Sequence, residues 1–210
     1  VVLNQLPYGW TGKVDEPAPK LGGDGKWDWT KFDAEFGPLL DGSAFADLPR
    51  GAVPVDAYYL LLNENWPMKH DEHFKGGYWI ESAFDEAYWT QFRDMAAEIA
   101  KRFEAKGWTE PMFEFYLNNK VYFKKDDWRK CTAAWIFDEP VHTQDFWAIR
   151  HYGREFWNAV APYPKVNLTY RADISRPQWQ RELLDHCVNG EFVRRFGAGF
   201  YDQPGMYQDY

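Results

Sequence analysis

The sequence predicts an α/β protein built as a (β/α) TIM-like barrel, either partial or compact. Short, almost continuously apolar runs of strand length alternate with longer segments of helical periodicity, a pattern typical of parallel strands covered on both faces. No glycine-rich phosphate loop follows any of these runs, which disfavours the alternative, an open doubly wound sheet. A complete eightfold barrel takes about 250 residues. We therefore expect residues 1–210 to be a single domain and a segment of a longer protein.

The first half of the chain is predicted to contain a loop, two helices and a strand. Residues 11–26 are rich in Gly, Pro, Lys and Asp, as loops are, and a short helix then ends near Asp41. Residues 55–62 form an apolar run that predicts a strand. A long amphipathic helix follows, because apolar residues recur at three- and four-residue steps before Gly107. Its apolar stripe consists of Tyr88, Phe92, Met95, Ile99 and Phe103.

Two strands and a long helix are predicted in the next part of the chain. Residues 112–117 form one apolar run, and residues 132–137 form a second, aromatic run that Pro140 ends. A helix is predicted from Thr143 until Pro162 terminates it. The inward face of this helix consists of Phe146, Ile149, Tyr152, Phe156 and Val160.

The remaining segments are predicted to form a strand, a helix and a final strand. Residues 166–170 are the strand. The helix begins at Ser175, a good N-cap residue, with Pro177 in its first turn, and it ends at Gly190. Residues 192–196 are the final predicted strand.

Four of the apolar strands are followed by side chains that form hydrogen bonds. These polar ends are Asn63-Glu64, Asn118-Asn119-Lys120, Asp138-Glu139 and Arg171-Ala172-Asp173. In a parallel barrel, the carboxyl ends of all strands open at one mouth, where active sites are built. We therefore expect these groups to converge there. Helix capping or mutual pairing, for example an ion pair of Arg171 with Asp173, is the alternative explanation.

Asp138 and Glu139 are the candidate catalytic residues. Glycoside hydrolysis needs a proton donor and a second group that stabilises or attacks the anomeric carbon, and two carboxylates can supply both. Neighbouring residues of a regular strand point to opposite faces, so both can reach one site only if the chain bends, as Pro140 suggests. Adjacent carboxylates suit substrate-assisted catalysis. A scheme in which Glu64 or Asp173 opposes Glu139 stays open. So do a helix cap or a partner for Arg171 as the role of Asp138, and a rim salt bridge for Glu139.

Motifs distributed over most of the chain resemble one known family. They are Asp28-Trp29, Leu40-Asp41-Gly42-Ser43-Ala44-Phe45, Glu64-Asn65-Trp66-Pro67, Phe115-Tyr116-Leu117-Asn118-Asn119-Lys120, Trp135-Ile136-Phe137-Asp138-Glu139-Pro140 and Tyr170-Arg171-Ala172-Asp173-Ile174-Ser175. As an ordered set they resemble the bacterial glycosidase-like barrels related to glycoside hydrolase family 123, the β-N-acetylgalactosaminidases. The resemblance implies a TIM-like barrel acting on carbohydrate, in which Asp138 holds the substrate's acetamido group and Glu139 is the general acid/base.

The chain also departs from that family. We expect residues 1–210 to lack an accessory sandwich domain and the first and last barrel strands. We therefore expect other domains or chains to complete the barrel. A secreted protein, extracellular or periplasmic, is expected.

The other polar and aromatic residues of the strand ends are candidates for substrate binding. Those predicted to shape the sugar site are Asn63, Glu64, Asn118, Asn119, Arg171 and Asp173. Trp66 and Trp135 are candidate stacking platforms. Aromatic residues make up 20% of the chain, more than a core of this size needs, and surplus rings suit sugar binding.

Composition argues against several partner classes. A formal net charge of −8 disfavours nucleic acid, whose binding proteins carry basic patches. No apolar stretch approaches the length of a membrane span. Cys131 and Cys187 are far apart without metal-like spacing, and each is expected to be a buried thiol. No cofactor and no metal are predicted.

Two rival functions stay open. The first is a non-catalytic carbohydrate-binding or structural barrel protein. The second is a metal-dependent hydrolase that uses His70 and His73 with the neighbouring Asp71 and Glu72, although their spacing does not match known zinc sites.

Overall fold

The structure is a computed structural model of the 210-residue chain, and it describes residues 2–3, 17–62, 66, 68–117, 135–137, 140, 142–173 and 179–192. The strands are β1 (Val2–Leu3), β2 (Lys20–Leu21), β3 (Trp27–Asp28), β4 (Ala57–Leu62), β5 (Met112–Leu117), β6 (Leu168–Asp173) and β7 (Gly190–Phe192). The α-helices are α1 (Thr30–Leu40), α2 (His70–His73), α3 (Ile80–Ala83), α4 (Glu86–Lys106) and α5 (Thr143–Val160). Short 3₁₀-helices cover Ser43–Phe45 and Trp179–Leu184.

Within the described residues, five parallel strands pair in the order β1-β4-β5-β6-β7, which is also their order along the chain. Strands β2 and β3 form a separate antiparallel pair. Because crossovers between parallel strands are right-handed, a sheet that keeps the order of the sequence receives its connecting helices on one face. Strands β1 and β7 are not paired with each other among these residues, so the described sheet is open.

Aromatic side chains attach helices α1, α4 and α5 to one face of this sheet. The ring contacts are Tyr58–Phe36 (5.2 Å), Phe113–Phe103 (4.4 Å), Phe115–Phe156 (4.3 Å) and Tyr170–Phe156 (5.6 Å). Strand register aligns Tyr58 with Phe113, and Phe115 with Tyr170, so all four strand residues point to the same face. All of these rings are buried. The three helices therefore share one aromatic layer with the sheet.

Helix α4 lies where the apolar periodicity predicts it, and both of its ends are capped. The Asp85 carboxylate accepts a hydrogen bond from Tyr88 N at the start of the helix (2.9 Å). Gly107 takes a φ of 74° just beyond the last residue, and Trp108 N donates to Phe103 O (2.9 Å). The predicted helices ending near Asp41 and beginning at Thr143 are confirmed as α1 and α5.

Most of the predicted strands are confirmed as well. The predicted runs at 55–62, 112–117 and 166–170 correspond to β4, β5 and β6. The predicted helix from Ser175 is described only from Trp179, where it is 3₁₀, and the predicted strand at 192–196 overlaps β7 only at Phe192. No helix in the described part of the chain is long and apolar enough to cross a membrane.

The predicted strand at 132–137 is wrong for the residues that the structure describes, 135–137. These residues are not in a strand, and β5 pairs directly with β6, so no strand lies between them. Ile136 N donates to the Asp145 carboxylate of α5 (3.0 Å) instead of to a ladder partner. Trp135 and Phe137 are buried against each other with their rings nearly parallel, at 6.0 Å. An apolar run can thus be buried by ring packing alone, which hydrophobicity does not distinguish from strand pairing.

We predict that Gly42→Ala destabilises the fold more than Gly51→Ala. Both glycines have positive φ, 80° and 73°, so each alanine carries a strain of about 1–2 kcal/mol. A Cβ at Gly42 would also lie 2.6 Å from the Val53 carbonyl carbon, whereas one at Gly51 would meet no atom within 4 Å. Urea denaturation should therefore give a further loss of about 1–3 kcal/mol for Gly42→Ala. Equal losses would contradict this packing.

Candidate functional site

The sheet face opposite the helices carries a cluster of charged and aromatic side chains, here called the inner-face cluster: Tyr59, Glu114, Tyr116 and Arg171. Register aligns Tyr59 with Glu114 and Tyr116 with Arg171, which places all four on this face. Arg171 Nη1 donates to Glu114 Oε2 at 3.1 Å, and these side chains are only 11% and 12% exposed. The pair is therefore a largely buried ion pair that links two neighbouring strands.

Two tyrosine rings also lie close to the Arg171 guanidinium. Its central carbon lies 4.9 Å from the Tyr59 ring centroid and 4.7 Å from the Tyr116 ring centroid. A guanidinium over an aromatic face is attracted by the ring quadrupole, and the attraction is stronger when water is excluded. Charge pairing and ring contacts together fix this cation two residues before the end of β6.

Glu114 is a functional candidate that the sequence interpretation missed. Arg171 was expected to contact substrate or to pair with Asp173 or Asp138, and the structure pairs it with Glu114. The signal lay in the sequence, because Glu114 is the one charged residue inside the apolar run 112–117. A carboxylate at such a position needs a partner on the next strand.

Among the other predicted polar site residues, only Asp173 lies within the described part of the chain. Leu62 pairs with Leu117, and Asp173 pairs with Phe192, so β4 to β7 end at one edge of the sheet. The backbone of Asp173 ends β6, and its side chain lies outside the described residues. Also outside the described residues are Asn63, Glu64, Asn118, Asn119, Asp138 and Glu139.

The two predicted stacking platforms are buried in the aromatic core. Trp66 is 4% exposed, its Nε1 donates to Pro19 O (2.9 Å), and its ring lies 5.9 Å from that of Trp27. Trp135 is 0% exposed, and its Nε1 donates to Tyr78 O (3.0 Å). Both indoles therefore serve core packing in this structure, and a stacking role for either stays a prediction.

His70 takes part in a buried chain of hydrogen bonds. His70 Nε2 lies 2.8 Å from the Tyr88 hydroxyl, which lies 2.7 Å from the Tyr152 hydroxyl of α5. All three residues are buried. Burial, with a smaller contribution from the charge of His73, lowers the pKa of His70 from its ordinary 6.5 to about 3. His70 is therefore neutral at physiological pH and links α2, α4 and α5.

His73 contacts the carboxylate of Asp85, which caps helix α4. Its Nδ1 lies 3.0 Å from both carboxylate oxygens of Asp85. The Tyr88 backbone N–H, followed by His73, lowers the pKa of the Asp85 carboxyl. Among the side chains that the structure describes, no three His, Cys, Asp or Glu residues lie close enough to hold a metal ion.

Comparison of the chain with protein-family models, curated proteins and solved structures found no match. The resemblance to glycoside hydrolase family 123 therefore stays a prediction from motifs. The geometry of the inner-face cluster and of the strand ends is the independent basis for a functional proposal.

We predict strong energetic coupling between Arg171 and Glu114. Arg171→Met or Glu114→Gln alone should lower the free energy of unfolding by about 3 kcal/mol, because each removes one partner of a buried ion pair. The double variant should lose about 2 kcal/mol less than the sum of the single losses. Urea denaturation of the four proteins measures this coupling.

The Lys69–Glu72 pair provides a matched control. Its N–O distance is also 3.1 Å, but its side chains are 59% and 62% exposed. Its coupling should be below about 1 kcal/mol, because water screens exposed pairs. Similar coupling in the two pairs would contradict a buried inner-face cluster.

We also predict that His70 makes stability fall on mild acidification. The pKa of His70 is depressed in the folded chain, so below its ordinary value of 6.5 the unfolded chain binds the proton more tightly. Between pH 7 and pH 5 this histidine should remove about 2 kcal/mol of stability. The loss should be smaller by that amount in His70→Gln and unchanged in the control His186→Asn, at an exposed residue with φ 65°. Unfolding free energies at the two pH values test this, and equal slopes in all three proteins would refute it.

Proposed function

We propose that this chain is part of a (β/α)-barrel glycosidase acting on carbohydrate, with N-acetylhexosaminides as its substrate class. Parallel strands in sequence order, with helices on one face, support a barrel, because a doubly wound sheet carries helices on both faces. The observation that carries the proposal is the buried Arg171–Glu114 pair on the face that barrel closure turns inward. Arg171 and Tyr116 lie within the last three residues of their strands, next to the edge where barrel enzymes bind substrate.

The position of Asp138 and Glu139 in the sequence supports a catalytic role even though residues 135–137 are not in a strand. Both residues follow β5, which ends at Leu117, and precede α5, which begins at Thr143. Connections from a strand to the following helix are the segments that form barrel active sites. The described residues on either side, Phe137 and Pro140, are buried. Asp138 and Glu139 are therefore proposed to act from the sequence between β5 and α5, where the described neighbours Phe137 and Pro140 are buried.

In the proposed reaction, Glu139 donates its proton to the glycosidic oxygen as the bond to the anomeric carbon breaks. The acetamido oxygen of the substrate attacks that carbon, and Asp138 orients the acetamido group and stabilises its positive charge. Water then attacks the anomeric carbon and breaks its bond to the acetamido oxygen, which regenerates the acetamido group. The water gives its proton to Glu139, and the product keeps its configuration. The residues proposed to bind the sugar hydroxyls are Asn63, Glu64, Asn118, Asn119 and Asp173.

One observation favours a second candidate, carbohydrate binding without turnover. Arg171 already has a carboxylate partner and two ring contacts, so its burial requires no substrate. An inner face held together in this way can persist in a barrel that has lost its chemistry. Sugar binding in the absence of hydrolysis distinguishes this candidate from the enzyme.

Glu139→Gln should abolish most of the hydrolysis of a 4-nitrophenyl N-acetylhexosaminide. The amide cannot transfer the proton, and loss of a general acid lowers kcat by about 100-fold or more. Glu35→Gln, on the exposed side of α1, is the matched control and should retain the wild-type rate. Hydrolysis by wild type that Glu139→Gln leaves intact would rule out the assigned role.

A further inference from the structure

Residues 75–83 run from Lys75 to the end of helix α3 and are closed at their base; this segment is here called the aromatic loop. Phe74 and Phe84 pair as an antiparallel bridge just outside it, with their ring centroids 5.7 Å apart. Across the base, Lys75 N donates to Ala83 O at 2.7 Å. Phe84 also stacks on a ring of α4 at 4.1 Å. A loop fixed in this way has little conformational freedom to lose when its tip binds a ligand.

The tip of the aromatic loop displays two adjacent rings. Gly76 and Gly77 both have a φ of 100°, a conformation that glycine adopts without strain and that turns the chain here. Tyr78 and Trp79 follow, 54% and 61% exposed. In the described part of the chain, the other exposed large hydrophobic side chains are Leu21 (40%) and Leu48 (56%), which are far apart in the sequence. Single exposed apolar residues are ordinary, whereas a contiguous exposed pair indicates a binding surface.

Two indole hydrogen bonds attach the aromatic loop to the segments on either side of residues 138–139. Trp135 Nε1 donates to the backbone oxygen of Tyr78 at 3.0 Å, three residues before Asp138 in the sequence. Trp147 Nε1, on helix α5, donates to the carboxylate of Glu81. The loop is thus attached to described residues on both sequence sides of the proposed catalytic pair.

We propose that the aromatic loop is a sugar-binding subsite in which Tyr78 and Trp79 stack on a pyranose ring of a neutral oligosaccharide. This inference rests on the proposed function and names the residues that hold the substrate beyond the cleaved bond. Tyr78 and Trp79 are accessible to a ligand, whereas Trp66 and Trp135 are buried.

The chemistry around the tip matches a pyranose better than a purely apolar partner. A pyranose has a flat face of C–H groups and a rim of hydroxyls, and the electron-rich face of an aromatic ring suits the C–H groups. The exposed carboxylate of Glu81 lies two residues from Trp79 and accepts hydrogen bonds from hydroxyls. The net charge of −8 disfavours polyanionic ligands.

Isothermal titration calorimetry of the 210-residue chain with an N-acetylhexosamine trisaccharide tests this subsite. Trp79→Ala and Tyr78→Ala should each raise Kd by roughly tenfold or more, as truncation of an aromatic anchor does. Leu48→Ala, which removes an equally exposed apolar side chain elsewhere, should leave Kd unchanged. All of these side chains are exposed, so the melting temperature of each variant should match that of wild type.

The same titrations separate failure of the subsite from failure of the proposed enzyme. The Kd of Trp79→Ala and the hydrolysis rate of Glu139→Gln are independent readouts, because Trp79 takes no part in proton transfer. If Trp79→Ala loses binding while Glu139→Gln keeps full hydrolysis, the subsite stands and the catalytic assignment falls. Equal Kd values for wild type and Trp79→Ala, or no binding by wild type, would overturn the subsite. Self-association that Trp79→Ala abolishes, without an effect on sugar binding, would also overturn it.

Discussion

The packing of helices α1, α4 and α5 against one face of the parallel sheet is the constraint on which the rest of the structure depends. Phe113 and Phe115 point to this face, and their neighbour Glu114 points to the other. A shift of β5 by one residue would exchange these sets, bringing a carboxylate into the aromatic layer and two phenyl rings out of it. The aromatic layer therefore fixes the register, and the register determines which side chains form the inner face.

The inner-face cluster is the direct consequence of that register. Glu114 on β5 and Arg171 on β6 meet only because Tyr116 aligns with Arg171 across the two strands. Removing two charges from water costs several kcal/mol for each ion, which their mutual attraction and good hydrogen-bond geometry must offset. An apolar pair would stabilise such a position at least as well. The presence of an ion pair at this buried position is thus consistent with a polar binding face.

The aromatic core also supports the surface proposed to bind sugar. Trp135 is buried, yet its indole N–H reaches the backbone of Tyr78, whose own ring is exposed. Phe84 similarly joins the base of the aromatic loop to α4. Rings in the core position rings at the surface, which accounts for part of the aromatic surplus in the composition.

The sequence predicted those elements whose pattern is local. Helix α4 has an apolar stripe and a glycine stop, and β5 is a bounded apolar run, so each could be identified within one segment. The strand predicted at 132–137 was wrong for residues 135–137. There, ring packing and a hydrogen bond from Ile136 N to the Asp145 side chain take the place of strand pairing, which the apolar pattern of the run does not reveal. The partner of Arg171 required the strand register, which no local pattern supplies.

Part of the candidate site likewise depended on tertiary packing. Trp66 and Trp135 were chosen because they stand near polar strand ends, but exposure depends on tertiary packing, which buries both. The signal for Tyr78 and Trp79 was two glycines followed by two aromatic residues. Its meaning depended on closure of the loop by Lys75 and Ala83.

A crystal structure of the chain with a bound N-acetylhexosamine oligomer would show directly whether the aromatic loop and residues 138–139 bind the same substrate. We expect one sugar ring against Trp79, with a carboxylate of Asp138 or Glu139 within hydrogen-bond distance of the adjoining glycosidic oxygen. The inner face of the sheet should lie beneath it, with the Arg171–Glu114 pair intact. A sugar bound elsewhere, or Asp138 and Glu139 directed away from the sugar-bearing cleft, would contradict it.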